Sequence, residues 1–246
     1  MNASSRPASA RATTDHGPRT GVFGGTFNPI HLGHLRAAEE VRQALSLDRV
    51  LFVPSRIPPH KHTDPDDPIA DSARRLRWVE RAIAGHPDFS VDRVEIEREG
   101  PSFLVDTLAT IRGRDGTGTA PPPVFIVGQD AFAEMGDWRA PERIFALADL
   151  AVMTRPPGHL RHLADRLPAI VRDDYDIAAD GRAALHRSAG TRIDLVPITP
   201  LDISSSRVRE ECRAGRSIRY LVPESVREEI EESRCYAARP AARAHG

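Results

Sequence analysis

Cysteine is nearly absent from this 246-residue chain: Cys212 and Cys235 are the only two. Two isolated thiols build neither a disulfide framework nor a Cys-based zinc cluster, so a reducing cytoplasm is the default compartment. Lysine is scarcer still. Of 34 basic residues only Lys61 is lysine, a skew toward arginine that leaves one compact ammonium in the chain. Aromatic residues make up 5% of the sequence, and no apolar run approaches the length that spans a bilayer. A net charge of −1 gives no global attraction to nucleic acid or an anionic membrane. Any anion must therefore be held by local geometry.

Glycine, in contrast, is concentrated where it counts. Gly21 to Leu35 reads as strand, glycine turn and helix start. Gly24 and Gly25 lack the Cβ that would keep a phosphate from the backbone N–H groups. Helical spacing of Leu35, Ala38, Val41 and Leu45 places His31 and His34 in a first helical turn, where free N–H groups and the dipole favour an anion. An imidazole titrates near 6.5 and gains a proton beside phosphate, so both histidines are expected as charged donors on one helical face. Gly33 between them is expected to clear the ligand side.

The segment GGTFNPIHLGH resembles the HxGH signature of the nucleotidyltransferase superfamily. PPHK at 58–61, GPSF at 100–103, VGQDAF at 127–132, DW at 137–138, TRPPG at 154–158 and ISSSRVR at 203–209 are similar, in order, to the motifs of bacterial nicotinate mononucleotide adenylyltransferases. The resemblance runs from about residue 20 to 236. It implies transfer of adenylyl from ATP to nicotinate mononucleotide, with deamido-NAD and pyrophosphate as products. His31, His34 and Arg209 would be catalytic. ATP would be held by Gly24, Gly25, Thr26, Phe27, His31, His34, Gly128, Asp130, Ile203, Ser204, Ser205, Ser206 and Arg209. The mononucleotide would meet Thr26, His60, Lys61, Phe103, Leu104, Trp138 and Arg155, with Trp138 stacked on the pyridine ring. Mg2+ would arrive on ATP rather than in a protein metal site. The resemblance is compatible with a homo-oligomer and implies no nucleic-acid or membrane partner. Asn28, Phe103, Leu104 and Ser206 stand where the family more commonly carries Asp, Tyr, Thr and Thr; Asn28 and Ser206 keep hydrogen-bonding capacity, whereas Leu104 does not.

Strands alternate with helices along the chain, which predicts an α/β Rossmann-like doubly wound sheet, mostly parallel, with a C-terminal helical segment. Apolar runs mark strands at about 20–23, 49–54, 124–128, 150–153 and 192–196. Strict alternation predicts a further strand over 89–96. Ser102 is expected to cap a helix through Ile111, and Trp78 to pack inside. Pro- and Asp-rich residues 55–70 predict an irregular loop, and 168–190 a variable insertion after a helix. One domain over 20–236 is expected, with disordered residues at 1–19 and 237–246.

Overall fold

The computed structural model describes residues 17–58, 67, 69–115, 120–155 and 160–237. Among the described residues, eight strands form one sheet. They are β1 (Thr20–Gly25), β2 (Arg49–Pro54), β3 (Phe89–Val91), β4 (Val124–Gly128), β5 (Asp149–Thr154), β6 (Tyr175–Ile177), β7 (Ala183–His186) and β8 (Arg192–Pro197). The helices are α1 (Leu32–Ala44), α2 (Ser72–Ile83), α3 (Val94–Glu97), α4 (Leu104–Arg112), α5 (Gln129–Ala133), α6 (Pro141–Leu147), α7 (Ala169–Arg172), α8 (Ser205–Arg213) and α9 (Glu224–Ser233). None of the described helices is long and apolar enough to cross a membrane.

The strand order is β3-β2-β1-β4-β5-β8-β7-β6. β1 pairs in parallel with both β2 and β4, so the winding reverses between β1 and β4. That reversal opens a crevice at the carboxyl ends of the two strands, the usual ligand position in such sheets. The expected doubly wound, mostly parallel sheet is present, and α8 and α9 form the helical C-terminal segment.

Alternation along each strand feeds two cores. Val22, Leu51, Val53, Phe125 and Val127 face α4, α6 and the β6–β7 side. Phe23, Val50, Phe52, Val124 and Ile126 face α1, α2, α8 and α9. Trp78 is fully buried, as expected of a packing residue.

Three local expectations need correction. The run from Phe89 stops at Val91, because the Asp92 carboxylate accepts the Val94 N–H at 3.0 Å and turns the chain into α3. Phe103, not Ser102, is the N-cap of α4; the Ser102 hydroxyl accepts the Arg56 N–H instead. The stretch read as an insertion contains β6 and β7, an antiparallel pair that extends the sheet from β8. At the N-terminal side, Arg19 is already fastened to β2's approach: its N–H and carbonyl both bond Asp48 at 2.9 Å.

Candidate active site

The turn after β1 is shaped by aromatic packing. Phe27 adopts φ of 48°, uncommon for a bulky residue, while its ring packs edge-on to Phe23 and His34. A Cβ on Gly25 would lie 3.0 Å from the Phe27 ring, so glycine lets the ring sit here without being pushed aside. Phe27 is 2% exposed, which leaves only its backbone to a ligand.

His31 is the N-cap of α1, and His34 lies one turn on. The His34 Nδ1 accepts the His31 backbone N–H at 3.2 Å, and the rings stack with centroids 3.7 Å apart. A ring nitrogen that accepts an N–H carries no proton, so neutral His34 holds its proton on Nε2. Gly33 serves the histidine itself: a Cβ there would meet His31 Nδ1 at 3.0 Å. It clears room for this ring.

The expected charge on His31 is corrected by its surroundings. His31 is 6% exposed, and burial, followed by the positive charge of Arg155, pushes its pKa down to about 4. The ring is neutral near pH 7. Its Nδ1 is buried beside Gly33.

These histidines line a cavity of about 390 Å³ together with Gly128, Asp130, Arg155, Ile203, Ser204, Ser205, Ser206 and Arg209. Ser204 caps α8 by accepting the Arg207 N–H at 3.1 Å, and Ser205 donates to the Pro29 carbonyl at 2.9 Å. The α8 N-terminus thus faces the same cavity as the α1 N-terminus, and two helix dipoles converge on it, an arrangement that favours an anion. Arg155, which the sequence pointed toward the mononucleotide, lies in this cavity.

Arg209 is buried, and its donors are largely engaged. Its fork pairs with both Asp67 oxygens, Nη1 donates to the Asn28 carbonyl at 2.8 Å, and Nη2 donates to Ser206 Oγ at 3.2 Å. Arg213 also pairs with Asp67. Asp67 was invisible to sequence reasoning, being one acid among several in a loop.

A second cavity of about 380 Å³ holds Gly24, Gly25, Thr26, Phe103, Leu104 and Trp138. Eight further residues line it that were not among the expected site residues: Ser55, Pro58, Glu95, Ser102, Phe125, Ala131, Arg139 and Ile144. The Arg139 guanidinium sits 4.5 Å from the Phe103 ring centroid, a cation–π contact. Burial raises the Glu95 carboxyl above its ordinary range, and Thr107 donates to it at 2.7 Å. Trp138 is half-buried and edge-on to Phe125. His60 and Lys61 lie outside the described residues.

A cytidylyltransferase-like family model matches residues 22–211. A Geobacter metallireducens protein described as "probable nicotinate-nucleotide adenylyltransferase" is 43% identical over 218 residues, 89% of this chain and 98% of that one. A Trichlorobacter lovleyi protein of the same description is 43% identical over 224 residues, 89% and 99% of the two chains. This chain belongs to the nicotinate-nucleotide adenylyltransferase family. The fold is also that of Plasmodium falciparum nicotinic acid mononucleotide adenylyltransferase complexed with NaAD, at TM-score 0.64 and 15% identity over 89% of this chain and 97% of that one. Among the described residues, no group of three or more His, Cys, Asp or Glu side chains is placed to hold a metal ion.

Proposed function

We propose that the protein transfers the adenylyl group of ATP to nicotinate mononucleotide, forming deamido-NAD and pyrophosphate, a step of NAD biosynthesis. One observation carries this reading: two cavities of similar size flank the ends of β1 and β4, and their linings differ in chemistry. The first offers imidazoles, serines and arginines to a triphosphate. The second offers Trp138 and Phe103 to a flat ring and Arg139 to a negative charge.

In this reaction a phosphate oxygen of the mononucleotide attacks the α-phosphorus of ATP in line, and the bond to the β-phosphate oxygen breaks. A phosphate monoester has a second pKa near 6 and is mostly dianionic at neutral pH, so the nucleophile needs no general base. His31 and His34 act as neutral N–H donors to phosphate oxygens whose charge shifts in the transition state. Ser204, Ser205, Ser206, the Ile203 backbone, Gly128 and Asp130 hold the nucleotide. Arg155 supplies positive charge to the phosphates, and Arg209, paired with Asp67, faces the same cavity. Magnesium bound with ATP would supply charge neutralisation to its phosphates.

The test is pyrophosphate release by the purified protein with ATP and nicotinate mononucleotide. Turnover with that acceptor is expected. ATP binding without pyrophosphate release, with either nicotinate or nicotinamide mononucleotide present, would overturn the reading in favour of a nucleotide sensor.

A further inference from the structure

Arg75 lies on α2 and lines neither cavity, yet it is 1% exposed and bonds to three separate stretches of chain. Nη1 donates to the Thr26 carbonyl at 2.7 Å, Nη2 to the Arg56 carbonyl at 3.1 Å, and Nε to the Ala70 carbonyl at 2.8 Å. Thr26 lines the second cavity, and Arg56 lies between two of its other walls, Ser55 and Pro58. On the opposite side the same segment is tied forward: Ser55 N–H donates to the Gly25 carbonyl at 3.0 Å, and Ser102 N–H to the Ile57 carbonyl at 3.0 Å.

We infer that Arg75 is a positioning residue for the acceptor mononucleotide, holding the Thr26 turn and the Ser55–Pro58 wall at a fixed separation. The inference rests on the reading of the second cavity as the acceptor site. A helix position that needed only packing would hold an apolar side chain, as Trp78, Val79 and Ile83 do on the same helix. A buried cation is costly unless its donors are satisfied, and here carbonyl oxygens accept from it. The planar fork spans three carbonyls that face it from different directions, whereas a lysine ammonium, a point charge on a flexible stem, cannot meet all three. None of these bonds reaches a residue lining the first cavity, so the effect of Arg75 falls on one substrate.

The experiment is steady-state kinetics of Arg75→Lys and Arg75→Met, with each substrate varied in turn, alongside thermal melts. Displacement of cavity walls by a fraction of an ångström costs about tenfold or more in productive binding, so the acceptor KM should rise about tenfold. The ATP KM should stay within about threefold of the parent, with Arg75→Lys closer to the parent than Arg75→Met. Folded variants with an unchanged acceptor KM, or with both KM values raised alike, would overturn the inference. Loss of folding in both variants would overturn it too, since Arg75 would then be structural only. Failure of the parent protein to release pyrophosphate is a separate result and bears on the proposed reaction.

Discussion

His34 takes the backbone N–H of His31 on its Nδ1, so the ring caps the helix and leaves its Nε2 as the remaining donor, in a side chain that lines the first cavity. Asparagine places an acceptor oxygen near Nδ1 but has nothing at Nε2. His34→Asn is therefore expected to melt close to the parent while losing about 10²–10³ in kcat, the usual cost of one transition-state donor. His34→Ala should lose as much turnover and some stability as well. Rates near normal in either variant would contradict the donor role.

The buried His31 makes stability depend on acid. Its unfolded pKa is about 6.5 and its folded pKa about 4, so between these values the unfolded chain binds the proton more readily. The contribution of the neutral ring is complete above about 6.5 and is lost as pH falls toward 4. Melting temperatures measured from pH 7 to pH 4.5 should fall less steeply for His31→Asn than for the parent. Parallel curves would show that the ring's burial is not felt.

Arg139 brings a cation to the aromatic cavity from an exposed position. Exposed charge pairs contribute up to about 1 kcal/mol, which corresponds to roughly fivefold in a rate ratio. Arg139→Gln should therefore narrow the preference for nicotinate over nicotinamide mononucleotide by about that factor, read as the ratio of kcat/KM values. An unchanged ratio would place the selection in backbone donors.

The buried Tyr236 hydroxyl donates to Asn28 Oδ1 at 2.6 Å, and Ala70 N–H reaches the same oxygen at 3.0 Å. Tyr236→Phe removes a buried hydrogen bond at a cost of about 0.5–1.5 kcal/mol. For a chain of this size, each kcal/mol lowers the melting temperature by about 2–4 °C. A calorimetric scan that shows no shift would indicate that the oxygen is served equally well by its other contacts.

Much of the architecture could be read from residue order because buried parallel strands are written as short apolar runs. β1, β2, β4, β5 and β8 all declare themselves this way. β6 and β7 do not: at three and four residues, with Asp176 facing out, they are too short for a period to register. Phe89 to Ile96 alternates like a strand, but a single Asx turn at Asp92 outweighs the pattern.

The convergence of His31, His34 and the serines of α8 was legible because each carries a motif. Charge state was not. The pKa of His31 depends on how much protein closes over it and on Arg155, neither of which spacing reports. Arg75 stands among Arg74, Leu76 and Arg77, and nothing in that context separates a buried arginine from its solvated neighbours. Asp67 and Arg139 are hidden for the same reason: their partners, Arg209 and Phe103, are distant in sequence.

The Tyr236 contact spans 208 positions and joins the chain's first ligand loop to nearly its last described turn. A ribosome delivers the HxGH segment early and this tyrosine late. Until residue 236 has emerged, the nascent protein holds its nucleotide loop without that final clasp. The Asn28 side chain therefore gains this last bond only when synthesis of the domain is all but finished.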